Sequence, residues 1–495
     1  MTRFAGWGWG LAWPVLVLAM QSAAGREPDV VLSGVVTGAD HRSFLELPFL
    51  VPQGTRRITV DFTYDRTATT VDLGLADPQR FRGWSGGNKR TFTLAETDAT
   101  ASYLPGPLPP GRWRLLLGVP HAAESAASRF RAVIHFARDM QAHALAFAPA
   151  PLATDAGWYR GDLHAHSGHS DGTCAASSGD RVPCPVYRTV QAAAARGLHF
   201  LALTDHNTRS HHQSLRELQD AFDGLVLLPG VEVTTFRGHA GIIGTTAFID
   251  FLSASGDMNG LLAGAAGAGG LISINHPGLP SDERCMGCGW TAETDYALVD
   301  AVEVVNGGAL RAADGVVRGP LSGIPFWERL LSAGWRVTAV GGSDNHDPDL
   351  PTEQHSAVGR PTTVVHAREL SQPALLDGIR AGRVFLDVDG SADRLLDLTA
   401  CTSTASAGMG DELIAPAGTA ISVTVAADKV PHAEVVLIRD GAEAATAPID
   451  ASAAARLEFR LDGRAGRGWI RAEVRSPAGR TLLLSNPIYL AGPEE

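Results

Sequence analysis

Two histidines that lie two residues apart are the first sign of chemistry in this sequence. His164 and His166 belong to the segment Gly-Asp-Leu-His-Ala-His-Ser-Gly-His-Ser-Asp-Gly at 161–172, at the predicted end of a β-strand. Alternate residues of a strand leave the same face, so both imidazoles could bind one metal ion, with Asp171 close behind. Two loop histidines would explain a single His-x-His motif equally well. The rest of the chain must decide between the two interpretations.

The region 157–389 has to position these residues, and it alternates short apolar segments with helical ones. Seven segments have the length and composition of buried strands: 159–164, 200–204, 225–231, 240–245, 271–275, 301–305 and 336–340. Predicted helices, each followed by a glycine that would end it, lie at 186–196, 210–222 and 324–333. Strands alternating with helices predict an α/β fold with parallel strands, and seven units predict a distorted TIM-like barrel.

Polar residues recur where these predicted strands end, which is where barrel enzymes carry their catalytic groups. Besides the first two histidines they are His206 in Thr-Asp-His, Glu232 in Gly-Val-Glu, His276 in Asn-His-Pro, and Asp344 and His346 in Ser-Asp-Asn-His. His239 lies instead at the entry to the fourth predicted strand, just beyond Glu232. Each alone could be a capping carboxylate or a buried structural histidine. Their recurrence at successive strand ends predicts a shared metal site instead.

The same motifs, in this order, resemble the polymerase and histidinol phosphatase (PHP) superfamily of metallohydrolases. The phrase Leu-Thr-Asp-His-Asn at 203–207 and the flanking β regions are similar to the branch named for the carbaryl hydrolases CehA and McbA. The resemblance implies a distorted barrel of seven β/α units, which agrees with the strand count. It also implies hydrolysis of phosphoesters, or of carbamates and aryl esters in that branch.

The resemblance further implies a trinuclear metal site. His164, His166, Glu232 and Asp344 would hold the first ion, Glu232, His239 and His276 the second, and Asp171, His206 and His346 the third. Glu232 would bridge two ions, as a carboxylate can and an imidazole cannot. Asp171 stands where some relatives have a histidine, so the third position is harder to assign and His169 is a nearby substitute.

Catalysis in such a centre is expected to depend on Glu232, Asp344 and His206. Two close divalent ions can acidify a shared water and stabilise the leaving oxygen, so no serine or cysteine nucleophile is required. Mixed nitrogen and oxygen ligands favour two or three ions of Zn, Mn or Fe over Mg or Ca. Asp162 and Asp205 could orient ligand imidazoles, although Asp205 could equally cap a helix.

Five basic side chains could bind an anionic substrate near the barrel mouth: Arg209, His211, His212, Arg360 and Arg383. Arg209 could instead be solvated, and Arg383 could cap a helix end. We predict hydrolysis of phosphoester bonds in a small substrate, with carbamate or carboxylic aryl ester hydrolysis as the alternative. A catalytically degenerate barrel that only binds a ligand is an alternative of another class, but here every expected ligand position holds a ligand-type residue.

Composition and the N-terminus restrict the class of protein. With 495 residues, 45% hydrophobic and 19% charged, the chain is globular and long enough for about three domains. Its net charge of -12 argues against a nucleic-acid partner. Residues 1–24 combine Arg3, a short apolar run and a small-residue cleavage pattern, which predicts a cleaved signal peptide and a secreted or periplasmic protein with no stable membrane span.

Alternating apolar residues and turn dipeptides on both sides of the barrel predict two β-sandwiches. The predicted domains are an N-terminal sandwich at 25–152, the barrel at 153–397, and a C-terminal immunoglobulin-like sandwich at 398–495. The sequence determines neither a ligand for these sandwiches nor the oligomeric state.

The predicted export affects the expected oxidation state of the five cysteines. In an oxidising compartment two local disulfides are expected, Cys174 with Cys184 and Cys285 with Cys288, and Cys401 is left over. The C-x-x-C pair could also be half of a zinc knuckle, but the sequence offers no second half.

Overall fold

The computed structural model describes residues 27–138, 147–148, 150–253, 256–281, 285–451 and 454–492. The signal peptide expected at 1–24 lies outside the described residues and stays a prediction. Among the described helices, none is long and apolar enough to cross a membrane. The described chain is mostly β, with its strands distributed over several sheets.

The N-terminal part forms two four-stranded sheets around one core. Its strands are β1 (Val30–Thr37), β2 (Ser43–Val51), β3 (Arg57–Tyr64), β4 (Thr69–Ala76), β5 (Phe81–Gly86), β6 (Thr91–Ala95), β7 (Gly111–Ala122) and β8 (Ala127–Ala137). The strand orders are β1-β8-β3-β6 and β2-β7-β4-β5, and all neighbours are antiparallel. Val60, Trp113 and Leu117 are fully buried between the sheets. This is the sandwich arrangement that alternating patterns produce when one face of each sheet is buried.

The central part alternates strands and helices. The strands are β9 (Gly157–Asp162), β10 (Thr173–Ala175), β11 (Arg181–Pro183), β12 (Phe200–Leu203), β13 (Val226–Thr235), β14 (Gly238–Ile243), β15 (Leu271–Asn275), β16 (Ala301–Asn306), β17 (Thr338–Gly342), β18 (Thr362–Ala367) and β19 (Val384–Asp387). The helices are α1 (Val186–Ala195), α2 (His212–Gln219), α3 (Met258–Gly267), α4 (Gly307–Ala312), α5 (Ile324–Ser332) and α6 (Gln372–Arg380). Every residue of β12, β15, β16 and β17 is buried, so these strands are covered on both faces.

The central sheet has the strand order β17-β16-β15-β14-β13-β12-β9-β18-β19. Each of the seven predicted strands coincides with an observed one, with shifted ends. The predicted uniformly parallel order is wrong, because β14 is antiparallel to both β13 and β15. The chain turns directly from Thr235 to Gly238, without a helix that would return it to the start of the sheet. The antiparallel strands β18 and β19 were not predicted.

The chain after β17 returns to the chain after β9. Asp344 N donates to His164 O and His166 N donates to Asn345 O, each at 2.8 Å. These backbone bonds bring the carboxyl ends of two strands together although the strands lie far apart along the sheet order. The closed barrel of seven units stays a prediction, whereas this convergence of strand ends is a feature of the structure.

The C-terminal part is a second sandwich, and its larger layer continues the central sheet. Its strands are β20 (Leu395–Cys401), β21 (Ser406–Gly408), β22 (Glu412–Ile414), β23 (Ala420–Asp428), β24 (Glu434–Arg439), β25 (Ala442–Pro448), β26 (Ala455–Asp462), β27 (Arg467–Arg475), β28 (Thr481–Ser485) and β29 (Ile488–Ala491). One sheet has the order β21-β20-β23-β26, and the other joins the central sheet where β28 pairs with β19. The predicted boundary between 397 and 398 falls inside β20, whose alternating burial starts at Leu395.

Ion pairs fasten both sandwiches to the central part. The buried carboxylate of Asp98, in the N-terminal sandwich, lies 2.5 Å from the guanidinium of Arg216 in α2. The buried carboxylate of Glu473, in β27, lies 2.9 Å from Arg318. Each carboxylate also pairs with an arginine of its own sandwich, Asp98 with Arg57 and Glu473 with Arg471, so Arg216 and Arg318 extend these buried charge networks into the central part.

Two disulfides join the cysteine pairs that the spacing predicts. Cys174 pairs with Cys184, and Cys285 pairs with Cys288. Cys401 is exposed and, among the described residues, unpaired. The first bridge links the β10 and β11 segments, and the second closes a short loop beside the predicted metal site.

Candidate metal centre

The nine predicted ligand residues come together at one place. They are His164, His166, Asp171, His206, Glu232, His239, His276, Asp344 and His346, and we call them the ligand cluster. Most of them follow a strand at the converging carboxyl ends, whereas Glu232 lies within β13 and His239 within the antiparallel strand β14. Their side-chain atoms form overlapping groups in which ligand atoms lie within 4.8 Å of one another. Residues far apart in sequence therefore offer nitrogen and oxygen atoms to a common space.

The first group surrounds His164 and His166. Their Nε2 atoms are 3.1 Å apart. Oδ1 of Asp344 lies 3.3 and 3.2 Å from these two atoms, and Oε2 of Glu232 lies 3.3 and 3.6 Å from them. Ligand atoms about 2.0–2.1 Å from a tetrahedral ion are roughly 3.4 Å apart, so these separations fit one bound ion.

Glu232 connects this group to a second one. Its Oε1 accepts a hydrogen bond from Asn275 Nδ2 at 3.0 Å and lies 3.0 Å from His276 Nε2 and 3.3 Å from His239 Nδ1. Its Oε2 faces the first group and also lies 3.0 Å from Nδ1 of His206. The two oxygens of one buried carboxylate thus face two different sets of imidazoles, which is the arrangement of a bridging ligand.

The second group has a defined tautomer at His239. The Nε2 of this ring donates to the backbone carbonyl of Met286 at 2.8 Å, because a carbonyl can only accept. Its Nδ1 is therefore unprotonated in the neutral ring and points toward Glu232. A hydrogen bond on the far nitrogen is the usual way in which proteins orient a metal-binding histidine.

The third group is more open. Asp171 Oδ1 lies 3.3 Å from His346 Nε2, and Asp171 Oδ2 lies 3.7 Å from His206 Nε2. His166 also belongs to this group, which the predicted assignment did not include. The Asp171 side chain is 58% exposed, so this position faces solvent. His169, the predicted substitute, instead bonds Ser210 Oγ through Nδ1 at 2.7 Å.

The backbone is forced into rare conformations to aim these side chains. His276 has φ 26° and Asp344 has φ 51°, in the left-handed region that L residues seldom occupy. A Cβ atom at Gly342 would overlap both His164 Cβ and Glu303 Oε1, so only glycine fits there. Such positions persist where the surrounding structure determines them, as at binding sites.

Glu303 is a buried carboxylate beside the cluster that the sequence analysis missed. Its Oε1 lies 3.1 Å from His164 Nδ1, and its Oε2 accepts from His276 N and Asn306 Nδ2, each at 2.9 Å. It therefore orients His164, whose Nε2 faces the first group. A signal was available, because Glu303 interrupts the apolar strand Ala-Val-Glu-Val-Val, where an unpaired charge would be costly.

Two predicted orienting residues hold the backbone instead. Asp162 accepts hydrogen bonds from the backbone of His164 at 3.1 Å, of Ser343 at 3.0 Å and of Gly359 at 2.7 Å. Asp205 accepts from Ser167 N at 2.8 Å and from the hydroxyls of the Ser167 and Ser170 side chains. Neither orients a cluster imidazole. Both fix the loops that carry the first histidines.

The charges of the cluster shift one another's pKa. Burial lowers the pKa of His164, but the carboxylates of Glu232, Asp344 and Glu303 outweigh it and raise this pKa well above its usual value. Burial acts to raise the pKa of Glu232 and Asp344, yet the surrounding histidines hold both well below their usual range. Burial and neighbouring imidazoles lower the pKa of His166 to about 4. The carboxylates therefore stay ionised at neutral pH and attract cations.

The donor atoms fit divalent transition metals. The buried Glu232 Oε2 and His239 Nδ1 lack a hydrogen-bond partner among the described residues, and such atoms are rare in folded proteins. Glu232 Oε2 faces the first group and His239 Nδ1 faces Oε1 in the second, so one cation in each group would satisfy them. Imidazole nitrogen combined with carboxylate oxygen suits Zn, Mn or Fe better than Mg or Ca.

The three predicted substrate arginines lie away from the ligand cluster. Arg209 Nη1 donates to Thr246 O at 3.4 Å, and its guanidinium lies 5.6 Å from the centre of the Phe248 ring. Arg360 pairs with Asp389 at 3.2 Å. Arg383 is exposed and precedes β19, at the end of that strand opposite to the cluster. The structure does not bring these side chains to the ligand cluster.

The two histidines predicted as anion contacts are buried in the core. His211 Nε2 donates to Leu203 O at 3.1 Å and Gly230 O at 3.0 Å, and His212 Nε2 donates to Gly230 O at 3.0 Å. Burial and the neighbouring His211 lower the pKa of His212 to about 3, so this ring is neutral at pH 7. These histidines support the backbone of β12 and β13 beneath the cluster.

Comparison with known proteins gives distant likenesses only. No protein-family profile matches the chain, and no curated protein matches it. The chain is similar to a two-domain protein from Bacteroides vulgatus that contains a predicted PHP-like metal-dependent phosphoesterase, with 18% identity, 67% of this chain and 96% of that chain covered, and a TM-score of 0.36. It is also similar to a glycosyl hydrolase family 2 member from Bacteroides cellulosilyticus, with 10% identity and a TM-score of 0.19. That match covers 93% of this chain and 76% of the other. At these TM-scores neither likeness supports a fold family or an activity.

Proposed function

We propose that this chain is a metal-dependent hydrolase that acts on phosphoester bonds of a small substrate through a centre of two or three divalent ions. The observation that carries the proposal is the placement of Glu232. Its Oε1 faces His239 and His276, while its Oε2 faces His164 and His166. A carboxylate so placed can hold two ions at the short separation that two-metal hydrolases use.

Residues of the ligand cluster would hold the proposed ions. When bound, a pair of such ions lowers the pKa of a water molecule and neutralises negative charge on the attacked and leaving oxygens. Zn, Mn and Fe are the proposed metals, because the ligands combine imidazole and carboxylate. The resemblance of the cluster motifs to the PHP superfamily supports the same assignment, and membership of the CehA and McbA branch stays a prediction.

The protein's own residues supply geometry and access. Glu303 fixes the His164 ring, and the carbonyl of Met286 fixes the ring of His239, so the donor atoms are preorganised. His206 and His346 are partly exposed beside Asp171, which makes this side of the cluster the proposed entrance for substrate. Asp344, which follows β17, contributes Oδ1 to the first group.

The phosphoester substrate is favoured by the chemistry of paired ions. Two cations can contact a phosphoryl group on both its attacked and its leaving side. Arg209 and Arg360 contact other residues, and Arg383 lies at the end of β19 away from the cluster. Positive charge for the substrate would therefore come from the ions themselves. Carbamates and aryl esters carry no net negative charge and so require less positive charge around the substrate. Their hydrolysis is the alternative, and a substrate screen distinguishes it from phosphoester hydrolysis.

The experiment is metal analysis of the purified protein together with a hydrolysis screen of aryl phosphate mono- and diesters, aryl esters and aryl carbamates. We expect roughly two or three divalent ions per chain and turnover of a phosphoester. Glu232→Gln should lose both metal and turnover, whereas the control Glu434→Gln, at an exposed position of β24, should keep both. Preference for the carbamate or ester would select the alternative. Protein that stays metal-free and inert after Zn or Mn is supplied would refute the enzyme and favour a binding protein.

A further inference from the structure

The loop closed by the Cys285–Cys288 disulfide lies against the second group of the cluster. Cys288 is fully buried, and its sulfur lies within 4.8 Å of the ligand atoms of His239 and His276, which also lie within that distance of each other. A sulfur and two imidazoles at this spacing form a set that commonly binds zinc. None of the ligand assignments above uses this sulfur.

The same loop also controls the orientation of His239. The carbonyl of Met286 accepts the hydrogen bond from His239 Nε2 at 2.8 Å. The loop is pressed onto the β13–β14 turn, since a Cβ atom at Gly287 would overlap the carbonyl oxygen of Thr235. The buried His239 Nδ1, on the cluster side of the ring, has no hydrogen-bond partner among the described residues. Two independent features of the second group, an unsatisfied nitrogen and a nearby sulfur, thus point to a ligand bound between them.

We propose that Cys288 is a reserve metal ligand of the second group, masked by its disulfide with Cys285 and released when that disulfide is reduced. The inference rests on the proposed metal centre. In the oxidised protein the second position has three ligands, from His239, His276 and Glu232. In the reduced protein the Cys288 thiolate is a fourth.

The reduction balances with a dithiol as the reductant. Cys285 is half-buried and Cys288 is fully buried, so an external thiolate reaches the Cys285 sulfur. Its attack forms a mixed disulfide and releases Cys288 as a thiolate. The second thiol of the dithiol then displaces Cys285, which takes up a proton and leaves the reductant as its own disulfide. Two electrons pass from the dithiol to the protein, and Cys288 binds the cation without its proton.

A fourth protein ligand would change what the second position does. Four protein ligands close a tetrahedral site, whereas catalytic sites keep one position open for water or substrate. A thiolate also shifts preference from Mn toward Zn, because zinc accepts soft ligands. The proposed switch therefore converts an open position into a closed, zinc-selective one.

Cobalt substitution tests the ligand directly, because a thiolate bound to Co(II) gives an intense near-ultraviolet charge-transfer band that imidazole and carboxylate ligands do not give. The spectra are recorded for the air-oxidised protein, for the dithiol-reduced protein, and for Cys285→Ser and Cys288→Ser purified without reductant. Cys285→Ser leaves Cys288 as a permanent thiol and keeps Cys174–Cys184 intact, so it separates this site from the other disulfide. Melting temperatures of both variants confirm that they are folded.

We expect the thiolate band in the reduced protein and in Cys285→Ser, and not in the oxidised protein or in Cys288→Ser. Zinc should bind Cys285→Ser more tightly than Cys288→Ser by at least about tenfold, since even partners outside the ligand shell contribute about 10–100-fold. Cobalt that binds Cys285→Ser with visible ligand-field bands but no thiolate band would overturn the reserve ligand and leave the metal centre intact. Failure of cobalt to bind any form would overturn both.

Discussion

Replacing Glu303 with glutamine should weaken metal binding although Glu303 is not one of the proposed ligands. Its Oε1 lies 3.1 Å from His164 Nδ1, and its Oε2 accepts from His276 N and Asn306 Nδ2, each at 2.9 Å. His276 N and Asn306 Nδ2 can only donate, and His164 Nδ1 must donate if Nε2 is to face a metal. A carboxylate accepts from all of these groups. The carboxamide of glutamine offers an acceptor on one side only.

Either orientation of that carboxamide damages the site. If its NH2 faces His164, the ring proton must move to Nε2, the atom directed at Glu232 and Asp344. If its NH2 faces His276 N, a buried backbone donor is left without an acceptor, at a cost of about 1–3 kcal/mol. Loss of such an orienting partner typically weakens metal binding about 10–100-fold. We therefore expect the metal Kd of Glu303→Gln to rise by that factor, or about 1.4–2.7 kcal/mol.

The assay is competition between the protein and a chromophoric chelator for zinc, with the metal-free proteins compared first by circular dichroism and melting temperature. Glu434→Gln, the same substitution at an exposed position of β24, is the control and should bind as the unmodified protein does. A folded Glu303→Gln protein whose zinc Kd stays within about twofold of the control would refute the argument that Glu303 orients His164.

Two further predictions concern pH. Burial lowers the pKa of His346, but its hydrogen bond to Asp171 and the negative charges of Asp344 and Asp171 together outweigh this and raise the pKa to about 9. A metal ion must therefore displace a proton there at neutral pH. Metal affinity of the third position should rise with pH up to that value, by about tenfold per unit, and a flat pH profile in chelator competition would contradict this. Burial acts to raise the pKa of Glu473, but Arg471 and Arg318 lower it from 4.5 to about 2. This shift corresponds to about 3 kcal/mol of folding stability. The stabilisation is present above pH 4.5 and is lost as the pH falls toward 2. Glu473→Gln should lower the melting temperature at pH 7 and make the melting temperature fall less steeply between pH 4.5 and pH 2. A variant whose melting temperature falls with pH as steeply as that of the unmodified protein would contradict this.

Strand positions and candidate ligands were accessible from the sequence because both depend on local patterns. Apolar segments of strand length mark the strands wherever the chain lies in the fold, and a polar residue directly after such a segment must sit at the strand's end. His164, His206 and Asp344 follow this rule, and the structure brings them together. The candidate ligands could therefore be identified without knowing which strands are neighbours in the sheet. That they bind metal stays a prediction.

Direction and pairing across the sheet were decided by the tertiary structure alone. An apolar segment such as β14 reads the same whether it runs parallel or antiparallel to its neighbours. Glu303 becomes an orienting residue only because β16 places it beside His164, at a distance that no local pattern encodes. Likewise the sequence predicted that Arg360 binds substrate, whereas in the structure its guanidinium pairs with Asp389.

The geometry of the candidate metal centre depends on the positions of individual side-chain atoms, which residue types alone do not determine. The sequence by itself determined that carboxylates and imidazoles follow the strands. Only the folded chain decided that the two oxygens of Glu232 face different histidines and that the sulfur of Cys288 lies beside His239. Local patterns reflect the preferences of neighbouring residues, whereas these distances result from packing strands that are far apart in sequence.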